Sequence, residues 1–205
     1  MLTHKPLSVD VKAKRMDHDG RRQKTLGLVL FDWATQPYST LMLTFVFGPF
    51  FATIAAEVYL GSGLNEEAAD ARAQGLWSLC LTMVGLIVGF GAVADVTGRR
   101  LPWIIGFSAL YVIGSMSLWW TQPDGSNMLW MLCAFGIGFI GAEFALTFTN
   151  TQLPNLGPIK LIGKISGTGF AFGYVGGLLS LVIMLALFLE QPSGKRFWAS
   201  IQHLD

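Results

Sequence analysis

Gly91-Ala-Val-Ala-Asp95-Val-Thr-Gly98-Arg99-Arg100 is the stretch on which the fold turns. An apolar run, about 75–94, ends on it, and another, about 102–120, begins just after it. A carboxylate and two guanidinium groups do not stay in hydrocarbon without a partner. Their position therefore marks a place where one helix leaves a bilayer and the next re-enters it. Gly98 can take the left-handed conformation that ends a helix.

Working outward, the same pattern recurs. The first apolar run, about 26–58, contains Pro37 and Pro49 and predicts a kinked or interrupted helix. A polar loop comes next, over about 59–74, with Glu66, Glu67 and Asp70. A fourth run covers about 128–149 and a fifth about 164–189, separated by a segment with Pro154 and Pro158. Each is long enough to cross a bilayer, which takes roughly 20 apolar residues. Composition agrees: 52% of the 205 residues are hydrophobic and 13% are charged, against about 25% charged in soluble domains. The expected fold is all-α, with five transmembrane helices.

The chain divides into three regions. Residues 1–24 form a basic arm, expected to be flexible; 25–190 form the helix bundle; 191–205 form a polar tail. Lys and Arg set the orientation, because cytoplasmic loops carry the excess of them. The arm holds seven, and Arg99, Arg100, Lys160 and Lys164 lie on the same side, against Arg72, Lys195 and Arg196 on the other. The N-terminus is expected in the cytoplasm and the tail outside. The setting expected is the plasma membrane of a bacterium.

Several functions find no support in the chain. His4, His18 and His203 all lie in terminal segments, away from any span that could use a base or a metal ligand. There is no phosphate-binding loop and no nucleophile elbow. Cys80 and Cys133 sit in apolar runs, as packing residues do. No enzyme, metal, cofactor or nucleic-acid partner is expected. The partners expected are the lipid bilayer and a small-molecule solute.

Charge inside the spans asks for a use, since it costs at least ~2.5–3.5 kcal/mol on insertion scales. At 100° per residue, Asp32, Thr35, Gln36 and Ser39 share one face of the first span. Glu143, Thr147 and Asn150 share a face of the fourth. Two polar stripes predict one wet cavity with Asp32, Gln36, Glu143 and Asn150 as candidate solute- or proton-binding residues. The alternative is that the stripes only join helix to helix. In the fifth span Ser166, Gly169, Gly173, Gly176, Gly177 and Ser180 form a small-residue face suited to close helix packing. Gly85 and Gly89 form a shorter version in the second.

Gly91-x-x-x-Asp95-x-x-Gly98-Arg99-Arg100 between two spans resembles the loop signature of the major facilitator superfamily, with Val96 where the signature has Arg. Leu30-Phe-Asp32-Trp33-Ala-Thr-Gln-Pro37-Tyr38-Ser39-Thr40 and Asn150-Thr-Gln-Leu153-Pro154-Asn155, with the glycine-rich stretch Ile162–Gly177, resemble its vacuole-effluxer-like branch, related to autophagy-associated amino-acid effluxers. The resemblance implies twelve helices in two halves built from inverted three-helix repeats, with the solute path between the halves. This chain carries five helices of a first half. It implies further that Gly91, Asp95, Gly98, Arg99 and Arg100 form an inner gate loop. The leading expectation is a secondary transporter, or part of one, for small solutes such as amino acids, driven by protons through Asp32 or Glu143. The alternative is a non-transporting membrane subunit or partial gene product that needs a C-terminal half or a second chain.

Overall fold

The structure is a computed structural model and describes residues 7–93, 100–156 and 158–188. Among these residues the regular elements are all helical: α1 (Leu7–Pro37), a π-helical turn (Tyr38–Phe45), α2 (Phe47–Gly61), α3 (Glu66–Val93), α4 (Leu101–Ser117), α5 (Met128–Asn150) and α6 (Ile159–Phe188). Short 3-10 turns, Leu118–Trp120 and Leu153–Asn155, close α4 and precede α6. Among the described residues, five segments are long and apolar enough to cross a membrane, the first (Gly20–Gly61) made of α1 from Gly20, the π turn and α2 together.

The first span is interrupted as its prolines predict, by a register change. Pro37 has no N–H to give, and the residues after it bond five positions back instead of four. The Val46 N–H donates to Leu41 O at 2.8 Å, and the Thr44 hydroxyl to Ser39 O at 3.1 Å. The ladder resets at Val46 (φ −117°, ψ −68°). Pro49 then falls in the first turn of α2, where its missing N–H has no partner to lose.

Two boundaries differ from expectation. The basic segment read as a flexible arm is helical from Leu7 onward; its Lys and Arg are good helix formers and favour continuation of α1. The polar loop after α2 is also shorter than its composition suggests. Gly63 (φ +94°) turns the chain, the Asn65 side chain accepts from the Ala68 N–H at 2.9 Å, and Glu66 and Glu67 occupy the first turn of α3. That is a capped helix start with favourable charge at its N-terminal dipole. The expected tail, 191–205, lies outside the described residues.

α5 is the hub: 56% of its apolar window is buried, against 17% for α6. Phe135, fully buried, stacks on Phe47 at 5.5 Å and meets Trp77 at 4.7 Å between ring centroids. Tyr38, at the start of the π turn, donates its hydroxyl to Phe135 O at 2.9 Å and meets the Tyr111 ring edge-on at 5.2 Å. This ties the first span to α4 and α5. Glycines set the distance between α4 and α5. A Cβ on Gly114 would lie 2.9 Å from Ala134 O and nearer still to the backbone of Gly138, and one on Gly141 would lie 2.8 Å from Phe107 O. Gly85 and Gly89, by contrast, face open space.

On the opposite turn, Asn127 holds both ends of the 121–127 connection. Its amide accepts from the Gln122 N–H at 2.9 Å and donates to Trp120 O at 2.7 Å. The Ser126 N–H bonded to Asp124 holds that exposed carboxyl below the usual carboxylate range.

Gly114→Leu should destabilise the fold by about 1–3 kcal/mol or more through overpacking, read as a lower melting midpoint and less monodisperse protein in detergent. Gly85→Leu should leave both unchanged. Equal behaviour of the two variants contradicts the close approach of α4 and α5.

Candidate functional site

The site is built on a seam between α1 and α6. Asp32 and Gln36 are one helical turn apart on α1, and Gly169 and Gly173 are one turn apart on α6. The two pairs meet in register. A Cβ on Gly169 would collide with Asp32 Oδ2 and lie 3.2 Å from Leu28 Cδ2. One on Gly173 would lie 3.4 Å from Asp32 O and 3.6 Å from Gln36 Oε1. Farther along, Gly176 lies under the Trp33 ring, and a Cβ on Gly177 would lie 3.0 Å from Gln36 Cγ and 3.4 Å from Thr40 Cβ. Residue numbers rise together on both helices, so α1 and α6 run in the same direction. The missing side chains make room for the polar groups of α1.

Where α5 joins this seam there is a cavity of about 140 Å³, lined by Asp32, Thr35 and Gln36 of α1, Leu146 and Asn150 of α5, and Ser166, Phe170 and Gly173 of α6. Asp32 Oδ1 is sealed from solvent and has no hydrogen-bond partner. The Thr35 hydroxyl donates to the Phe31 and Asp32 carbonyls at 3.1 and 3.2 Å, which leaves its lone pairs to accept. No Lys, Arg or His is among the residues that line the cavity. The arrangement presents a carboxylate, two carboxamides and hydroxyls at a three-helix junction, with an aromatic ring beside them.

Of the candidate residues named from the sequence, Asp32, Gln36 and Asn150 line this cavity and Glu143 does not. Glu143 is half-buried on α5, seven residues before Asn150, roughly 10 Å along the helix axis. Ser166, Phe170 and Leu146 join the site from positions whose residue types carry no such signal alone. In the gate loop, Gly91 lies in α3, while Asp95, Gly98 and Arg99 lie outside the described residues. The Arg100 guanidinium donates to Thr151 O at 2.5 Å, at the C-terminal end of α5. A cation there suits both the free carbonyl and the helix dipole.

A larger cavity, about 590 Å³, lies between Leu26, Leu30 and Trp33 of α1 and Leu161, Ile165 and Phe172 of α6. Its wall is apolar apart from Thr25, Arg21 and Arg22. Size alone favours it, but polar groups are what orient a small solute, and the smaller cavity has them.

Gly169→Ala should destabilise the protein by about 1–3 kcal/mol, because the new methyl meets the Asp32 carboxylate. Asp32→Ala should relieve part of that loss in the double variant, with a coupling above about 0.5 kcal/mol in thermal or denaturant unfolding. Gly163→Ala, which faces open space, should be neutral. Additive effects at positions 32 and 169 would show that the two do not touch.

The chain is 29% identical, over 164 residues, to the "Uncharacterized MFS-type transporter YxiO" of Bacillus subtilis (strain 168), an alignment that covers 78% of this chain. The chain spans 36% of the length of that relative. No family model matches the chain, and no solved structure matches it significantly. Its five long apolar helices, together with this similarity to a transporter, make it an integral, multi-pass membrane protein.

Proposed function

We propose that this chain is the N-terminal part of a secondary transporter of the major facilitator type, carrying small solutes through a path that includes the Asp32–Gln36–Asn150–Ser166 cavity. One observation carries the reading. Asp32 places a solvent-sealed carboxylate oxygen without a partner beside a polar cavity, inside a span where such a group is costly to keep. A carboxylate that served only packing would be expected to have its hydrogen bonds filled. Similarity to a major-facilitator-type transporter supports the same class.

The finer parts of the proposal rest on the sequence. The solutes are amino acids or molecules like them, by resemblance of Leu30–Thr40 and Ile162–Gly177 to the vacuole-effluxer-like branch. Protons drive the exchange through Asp32 or Glu143. The N-terminus faces the cytoplasm of a bacterium, by the excess of Lys and Arg on that side. The greater length of the relative supports a further set of helices, on this chain or a second one, that completes the path. Gly91, Asp95, Gly98, Arg99 and Arg100 then act at its inner gate.

Single cysteines test the path without knowledge of the solute. With Cys80 and Cys133 replaced by Ser, Asn150→Cys and Ser166→Cys should react with a hydrophilic maleimide, as water reaches a transport path. Glu66→Cys should react only from outside intact cells. Protection of both cavity positions from either side would mean a packed seam and no path. Labelling of position 66 from the cytoplasm alone would invert the orientation.

A further inference from the structure

We infer that the cavity between α1, α5 and α6 selects its solute by a cationic group, a protonated primary amine on a short carbon chain, with Asp32 as the counter-ion. The inference rests on the reading of this cavity as the solute site and adds the charge class it accepts. The side chains around it are a carboxylate (Asp32), two carboxamides (Gln36, Asn150), two hydroxyls (Thr35, Ser166) and two carbon faces (Leu146, Phe170). None of them is cationic, so a carboxylate placed among them would meet Asp32 with nothing to offset the repulsion, and the carboxylate of an amino acid would have to be held outside these residues. An ammonium carries three donors and no acceptor. Opposite it stand the Asp32 carboxylate, whose Oδ1 has no hydrogen-bond partner, the carboxamide oxygens and the lone pairs of Thr35, whose own proton is already given to the α1 backbone.

The aromatic wall narrows the choice between an ammonium and a bare metal ion. Phe170 lies on the cavity side of α6 and packs edge-on against Tyr174, with centroids 4.8 Å apart at 78°. An aromatic face attracts an organic cation and also takes up its carbon chain. The same oxygens could surround a sodium ion, but only an organic cation has a carbon chain for Leu146 and Phe170 to take up. Near Gly169, Oδ2 of Asp32 is packed against α6, and Oδ1 has no hydrogen-bond partner.

The test uses the purified chain in detergent and n-butylammonium chloride in a potassium chloride buffer, with binding read by calorimetry and by the melting midpoint. Butylammonium should bind and raise the midpoint, while the neutral isostere n-butanol and the anion butyrate should not. Asp32→Asn should weaken butylammonium binding about tenfold or more, the scale of one charge-assisted hydrogen bond, while keeping its fold. Asn150→Asp, which adds a second carboxylate, should tighten it. Binding of butyrate or butanol as strong as that of butylammonium would overturn the inference. So would unchanged affinity in Asp32→Asn, or stabilisation by sodium chloride in place of butylammonium. Reactive cysteines at 150 and 166 with no preference for the ammonium would remove the charge class and leave the path standing. Unreactive cysteines would remove the path itself.

Discussion

The structure depends on how closely α6 can approach α1. Without side chains at Gly169, Gly173, Gly176 and Gly177, α6 lies against Asp32, Gln36, Trp33 and Thr40 in register. In a bilayer the lipid tails are as apolar as the helices, so association relies on such close packing and on polar contacts. The seam supplies both. It holds the Asp32 carboxylate against Gly169 and the Gln36 carboxamide beside Gly173. α5 completes the enclosure with Leu146 and Asn150. If the helices stood a methyl group farther apart, the polar groups would have freedom to turn away and the cavity would lose its shape.

A second contact keeps the first span aligned with the hub. The π turn begins at Tyr38, directly after Pro37, and Tyr38 reaches across to the Phe135 carbonyl. The extra residue per turn in this segment rotates α2 about the span axis, so that Phe47 and Phe51 face Trp77 and Phe135. The polar part of the span and its aromatic part thus serve different neighbours. The part as far as Thr40 faces α6 and the cavity; α2 faces α3 and α5. π-helical turns inside α-helices are frequent at functional sites, and this one lies directly after the cavity residues of α1.

Much of the fold was legible in the sequence, because span length and composition answer directly to bilayer thickness. The five runs come from that constraint, and the break after Pro37 from the N–H that proline lacks. The ends of helices were less legible: the Asn65 cap starts α3 well before its apolar run, and the basic residues after Leu7 extend α1. Pairing was the least legible. Gly114, Gly138 and Gly141 join α4 to α5, while Gly85 and Gly89 meet open space; spacing within one helix does not say what lies opposite. The same limit applies to the site. Asp32, Gln36, Glu143 and Asn150 all stand out as polar groups in apolar runs. That three of them share a cavity with Ser166 and Phe170, and that Glu143 lies about two turns away from Asn150, depends on helix rotation and register, which the local pattern does not contain.

Cross-linking measures the register of the seam most directly. A Cβ at position 177 would lie 3.4 Å from Thr40 Cβ, close to the separation a disulfide needs, roughly 3.5–4.5 Å. With Cys80 and Cys133 replaced by Ser, Thr40→Cys paired with Gly177→Cys should oxidise within one chain, seen as loss of both free thiols and of two mass units in the intact protein. The pair Thr40→Cys with Gly167→Cys, displaced by nearly three turns, should stay reduced. Free thiols at 40 and 177 under oxidant, or equal cross-linking of both pairs, would contradict the packing of α6 on α1 from which the site is derived.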